Sequence, residues 1–300
     1  MPMAWRHVAC GAVLFLYLSV PAAAALFDHA AYDAVLQHYV DEDGFVDYAS
    51  VRVNSLTALE SYFERLAEAD LAGWPQPERL AFWINAYNAR VMYEVAKSPD
   101  LKTIGAEGEL FNRPFKIAGQ TLTPNDIEHR ILRGAITKDG KKGPLPGVTL
   151  SKPDPRIHFA LVRGAIGSPK LRNFAYTAEN IDGTLEINAA AFVHSPANLA
   201  IVDGHLQVSS LLKWYAEDFK SVGGVKDYLL SLLAADQRDD AETIKALLSG
   251  AYDKATFTFD WTVNDQKNKP EPKDDPWLHA PPGALIPPDA FSTSNPDLSK

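Results

Sequence analysis

Apolar positions recur along this chain at two spacings. Over Phe27 to Val40, and again from about Pro77 to Lys97, they return every third or fourth residue, the period of a helix that buries a stripe. A third run of this kind reaches Ala69 from a start capped by Asn54 or Ser55. Further helices are predicted from Thr177 towards Val193, and over Ser210 to Phe219, Val225 to Ala235 and Asp240 to Leu248. Strands are predicted where β-favouring residues gather in short runs, at Arg156 to Val162 and Ala255 to Trp261. Asp43-Gly44, Gly119 and Asp203-Gly204 read as hairpin turns: the first joins Tyr39-Val40 to Phe45-Val46, the second lies within Phe115 to Thr123, and the third joins Leu199–Val202 to Leu206–Val208. Thr123-Pro124-Asn125-Asp126 supplies a cap, a first-turn proline and a first-turn acid, so a helix starts there. Strands arrive in hairpins without βαβ alternation and no solenoid-period repeat is visible. The expected fold is α+β, a helix-rich single domain with short antiparallel strands.

The two ends differ from the middle. Residues 1–25 begin with Arg6 and His7, continue through the apolar run Val8 to Val20 and finish at Pro21-Ala22-Ala23-Ala24-Ala25, the plan of a secretory signal peptide. The apolar run falls short of the roughly 20 residues a bilayer span needs, so no stable membrane anchor is expected. Residues 26–264 are the expected globular domain, and the protein is expected to be exported, periplasmic or secreted. Residues 265–300 carry eight prolines and few aliphatic residues, which reads as an extended proline-rich tail: one that lies across the domain through Trp277, Leu278 and Leu285, a tether with no partner, or a docking segment for a protein of the cell envelope.

Composition narrows the chemistry. The net charge of −9 argues against a nucleic-acid partner, whose binding rests on a basic surface. The one cysteine, Cys10, lies in the leader, so disulfides and cysteine-built zinc sites are excluded. Asp41, Glu42 and Asp43 do not have the spacing of a calcium loop. No metal and no cofactor is expected.

Several segments nevertheless hold candidate chemistry. In Ala81 to Arg90, Leu80, Ile84, Tyr87 and Val91 form one helical stripe and Ala81, Asn85, Asn88 and Met92 the next. Two amides on an apolar helix must be hydrogen-bonded, to another segment's backbone or to a ligand. Glu128 and His129 are adjacent, so on an α-helix they diverge by about 100° and cannot act as a metal pair one turn apart. His158 is a candidate base or a satisfied core histidine. Arg163-Gly164-Ala165-Ile166-Gly167-Ser168-Pro169 could turn tightly enough to aim backbone amides at an anion, although it matches neither a P-loop nor a nucleophile elbow. Between His129 and Arg172, including Arg156, ten basic side chains face two acidic ones, which suggests a local positive field suited to a carboxylate or phosphate, or else a scatter over the surface.

Taken together, Ala81–Ala89 (AFWINAYNA), Phe111-Asn112 with Phe115 to Gly119, Leu122–Arg133 (LTPNDIEHRILR), Asp154–Leu161 (DPRIHFAL), Trp214-Tyr215 with Asp218-Phe219, and Asp260-Trp261 with Asn264 resemble the domain-of-unknown-function family numbered 547. The resemblance implies a papain- or transglutaminase-like core in which a cysteine and a histidine act on an amide or related acyl bond. Relatives carry Asn-Cys-Gly-Ala followed by Cys-Pro, where this chain has Val162-Arg163-Gly164-Ala165 and Ser168-Pro169. Cysteine-type acyl transfer is therefore excluded in the mature chain. Three readings follow. The first is a degenerate domain in which Arg163, Asn85, Asn88, Arg156, Gly164 and Gly167 bind a small anionic or peptide-like ligand. The second is a hydrolase using Ser168 or water with His158, His129 or Glu128, and the third is an envelope interaction module.

Overall fold

The computed structural model describes residues 27–270 apart from 106–107, 135–142, 144, 146, 151–153 and 236–240. The expected leader, residues 271–300 of the tail, and Lys138, Lys141, Lys142 and Lys152 of the basic stretch lie outside the described residues. The fold is α+β.

Four helices open it: α1 (Ala30–Tyr39), α2 (Tyr48–Asn54), α3 (Leu56–Glu68) and α4 (Gln76–Ala96). Helix α4 is buried around its whole circumference from Leu80 to Ala89, which is what a near-continuous apolar sequence requires, and the three shorter helices pack around it and one another. Helix α2 was not expected. Asp47 caps it, accepting from the Ser50 N–H at 2.9 Å, while Ser55 lies between α2 and α3 and spends its hydroxyl on Tyr39 at 3.1 Å. A hairpin of β1 (Phe115–Ile117) and β2 (Gln120–Leu122) turns through Ala118 and Gly119, both at positive φ. Their amides close the end of α3 by donating to the Leu66 and Ala67 carbonyls at 2.8 and 2.9 Å. Thr123 and Asp126 then form a reciprocal capping box around α5 (Pro124–Asp126), and the chain continues as a π-helical turn over Ile127–Leu132.

The expected strand at Arg156–Val162 is corrected to a 3₁₀ helix over Pro155–Phe159. Asp154 caps it by accepting from the Arg156 N–H at 2.9 Å, with Pro155 in its first turn. Its alternation of apolar residues has a different origin. Ile157 belongs to a first hydrophobic core with α1–α4, and Phe159 to a second, so side chains two apart enter different cores rather than one face of a sheet.

The second core is built by α6 (Ile181–Val193), β3 (Leu199–Val202), β4 (His205–Ser209), α7 (Ser210–Trp214), α8 (Val225–Ala235), α9 (Ala241–Leu248) and β5 (Thr256–Thr258). Helix α6 starts later than Thr177, because Thr177 and Asn180 first exchange hydrogen bonds in a turn. The helix expected over 210–219 breaks after Trp214 into a 3₁₀ segment, Ala216–Val222. Strands β3 and β4 form the expected hairpin through Asp203 and Gly204, but β5 joins β4 in parallel, so this sheet is mixed and not purely antiparallel. The last strand stops at Thr258.

Beyond it the chain pairs with three distant places through single bridges, Thr262 with Thr103, Val263 with Ala165 and Asp265 with Val46. Past residue 264, the expected end of the globular domain, Lys269 reaches the carboxylates of Asp41 and Asp43, each at 2.7 Å. Among the described residues no helix is long and apolar enough to cross a membrane.

Candidate functional site

The seam between the two cores holds a buried charged network. Glu128, on the π-helical turn, is almost fully buried, and Arg163, which follows the 3₁₀ segment, is buried opposite it. One guanidinium nitrogen of Arg163 donates to both carboxylate oxygens of Glu128 at 2.9 and 2.8 Å. The Tyr215 hydroxyl, at the end of α7, donates to the carboxylate and accepts from the guanidinium. Tyr87 of α4 donates to the other carboxylate oxygen at 3.3 Å, and the Phe111 ring lies 5.1 Å from the guanidinium carbon. Burial alone would push the Glu128 carboxyl up. Arg163, His129 and the Tyr215 hydroxyl outweigh burial and hold it well below the usual carboxylate range.

A second set adjoins the first. His158 Nε2 meets the Asp218 carboxylate at 2.8 Å, and Arg133 donates to the same carboxylate at 2.9 Å. Another Arg133 nitrogen contacts His129 Nδ1 at 2.8 Å, and its guanidinium carbon lies 4.9 Å from the Tyr215 ring centre. The His158 imidazole stacks on Tyr215. Burial lowers the His158 pKa despite Asp218, which keeps the ring neutral near pH 7, and Asp218 is held ionised against its own burial by His158 and Arg133. Only Arg133 and Asp218 reach water appreciably, at 13% and 20% side-chain exposure. Two cations and two anions are thus matched inside a seam where an unmatched charge would be costly.

The other expected site residues are placed as follows. Asn85 donates to the Tyr176 carbonyl at 2.8 Å and accepts from its N–H at 3.0 Å. Asn88 does the same across the next loop, to the Ala160 carbonyl at 2.9 Å and from the Val162 N–H at 2.9 Å. Both amides are committed to backbone. Asn88 thereby fixes the segment that delivers Arg163. Ser168 Oγ accepts from the Arg163 N–H at 3.1 Å, and among the described residues no imidazole or carboxylate is its hydrogen-bond partner. His158 and Ser168 are not brought together.

The turn at 163–168 does not converge its amides. Ile166 and Gly167 donate to the carbonyls of Thr262 and Asp260 at 2.8 Å each, so the loop is edge-paired with the 260–262 segment. Gly164 has φ +71, and Gly167 sits so close to Asp260 that a side chain would not fit. The described part of the basic stretch is largely matched: Arg130 pairs with Asp126, Arg133 with Asp218, Arg156 with Asp154 and Asp182, and Arg163 with Glu128.

Four members of the network were not singled out as site residues from the sequence: Tyr87, Arg133, Tyr215 and Asp218. All four stood within family-like segments, but nothing local ties His158 to an acid 60 positions away.

Residues 71–193 match the family described as "Protein of unknown function, DUF547". The segments at Ala81–Ala89, Leu122–Arg133 and Asp154–Leu161 fall inside that stretch, while Trp214 to Phe219 and Asp260 to Asn264 lie beyond it. No curated protein and no solved structure matches the chain.

Proposed function

We propose, from the match of residues 71–193 to this family, that the protein is an exported, thiol-free member that binds a small anionic or peptide-like ligand and does not perform cysteine-type acyl transfer. One observation carries this reading. Position 163, where the resemblance puts a thiol, holds a guanidinium bonded to Glu128 and Tyr215. An arginine keeps its proton at physiological pH and cannot attack a carbonyl. With Arg163 neutralised by Glu128, the anchor for a ligand is the partly exposed Arg133–Asp218 pair. A carboxylate of the ligand would share Arg133 with Asp218, and a backbone N–H would add to Asp218. Calorimetry with short peptides and small carboxylates tests this. Arg133→Met and Asp218→Asn, each checked for folding, should weaken binding by about tenfold or more, roughly 1.4 kcal/mol. Unchanged affinity in both would remove the anchor. N-terminal sequencing of the mature protein tests the export part.

A second reading is supported by the His158–Asp218 pair. A neutral imidazole held by a carboxylate through Nε2 leaves its other nitrogen basic, and a water admitted to the buried seam along with a substrate would give it a proton, the orientation logic of hydrolytic triads. Hydrolysis of an amide or acyl substrate that disappears in His158→Gln, but persists in Ser168→Ala, would favour it over simple binding.

A further inference from the structure

Away from the network, three aromatic rings form a partly exposed ledge. Trp214, 38% exposed at the end of α7, stacks on Trp261 with 5.5 Å between centroids and 28° between planes. Phe259 lies against both, at 5.1 and 4.3 Å, and both it and Trp261 are half-buried. The backbone beneath them is fixed: Gly167 donates to the Asp260 carbonyl at 2.8 Å, Ile104 to the Trp261 carbonyl at 2.9 Å, and the Asp260 carboxylate accepts from the Thr262 N–H at 2.9 Å. Such a ledge is preorganised, so covering it costs little further ordering.

We propose that this ledge is the docking site of the chain's own proline-rich segment, residues 271–300. Three arguments support that occupant over others. First, the segment has the matching chemistry: seven prolines, including the pairs Pro281-Pro282 and Pro287-Pro288, with Trp277 beside Pro276. Proline-rich stretches favour the extended polyproline conformation, which is recognised by aromatic-lined surfaces. Second, it is within reach. Pro270 is nine residue steps after Trp261, so the two lie no more than about 32 Å apart. About ten residues of polyproline helix, at roughly 3.1 Å each, cover that distance. Third, a cation flanks the ledge. The segment carries five acidic and two basic side chains, and exposed Lys213, next to Trp214, lies 5.1 Å from the Phe257 ring centre. A tethered segment docks without the translational cost that a free peptide bears. The inference is independent of the ligand-binding reading.

The test uses the full chain with Cys10→Ser and Ala290→Cys, labelled at the new thiol with a bimane fluorophore that tryptophan quenches on contact. Emission in the folded protein should be at least twofold below that in urea, which accounts for any effect of nearby Trp277. Trp214→Leu, whose ring is partly exposed already, should restore at least half of the lost emission. The double change Pro281→Ala and Pro282→Ala should restore it too, without altering the melting temperature. Equal emission in the parent and in both variants would overturn the proposal. So would quenching that disappears on dilution, since it would assign the contact to a second copy.

Discussion

The His158 imidazole lies parallel to the Tyr215 ring, with 3.9 Å between centroids and 12° between planes, while the hydroxyl of the same tyrosine sits between Glu128 and Arg163. Tyr215 therefore touches both halves of the network. Tyr215→Phe keeps the stack and removes the hydroxyl, leaving buried groups short of a partner. A loss of about 1–3 kcal/mol is expected. Urea denaturation of the two proteins measures it, and an unchanged midpoint would show that the hydroxyl bonds are energetically idle.

Arg163→Met should be the more damaging change. It leaves Glu128 buried with an uncompensated charge, and breaking such a pair from one side typically costs about 3–5 kcal/mol. Adding Glu128→Gln to the same chain should recover more than half of that loss, because no buried charge then remains. A double-mutant cycle followed by thermal melting tells whether the pair is coupled; additive losses would contradict the geometry.

Acid should weaken the fold in two stages. His29 is buried against Phe27, and its Nδ1 meets the Tyr62 hydroxyl at 2.7 Å. Burial drops its pKa from 6.5 to about 4. The unfolded chain then binds a proton that the folded chain refuses. Stability is complete above pH 6.5 and falls as the pH drops towards 4, by at most about 3 kcal/mol from this residue. His158, also lowered by burial, adds a loss of the same sign as the pH falls below 6.5. Glu128 and Asp218, both lowered, contribute stability present above the ordinary carboxylate range and lost further into acid. Melting temperatures of the parent and of His29→Phe between pH 7 and 4 check the first stage, which should be shallower in the variant.

Two glycines should resist alanine for different reasons. At Gly164 the backbone has φ +71, and the new methyl would lie 3.0 Å from Val95 Cγ2, a flexible neighbour. The expected cost is about 1–3 kcal/mol. At Gly167 the φ is unremarkable, but the methyl would lie 2.6 Å from the Asp260 backbone nitrogen, which cannot give way without parting the 166–167 and 260–262 segments. Gly167→Ala should lower the melting temperature more than Gly164→Ala does, and the reverse order would mean that the loop relaxes.

Local signals carried much of the architecture. Helix α4 was legible because its apolar run is long, and the turns at Ala118-Gly119 and Asp203-Gly204 because left-handed backbone selects few residues. The need for partners at Asn85 and Asn88 was legible as well, since a buried amide must be satisfied. What failed was long-range. The run Ile157, Phe159, Leu161 looked like a strand because the 3₁₀ segment straddles two cores, which imitates the period of a sheet. The parallel partner of β4 comes some 50 residues later, after the three helices α7, α8 and α9, so no hairpin turn announces the pairing. The site divides in the same way. Glu128, Arg163 and His158 stood out as charged or titratable residues in apolar surroundings, but their partner Tyr215 looked like any aromatic residue on a helix. Its role depends on a contact 87 positions away in the chain.

The bridges of Thr262, Val263 and Asp265 to Thr103, Ala165 and Val46 also bear on the order of folding. The farthest of them closes a loop of more than two hundred residues, among the slowest contacts a chain can form. A nascent polypeptide halted before residue 260 has helices α1–α4 in full, yet the Gly164 carbonyl and the Ile166 and Gly167 amides still lack the strand they pair with. Completion of the seam therefore waits for nearly the last part of the domain to be synthesised, and the intermediate before it is the species most exposed to proteolysis.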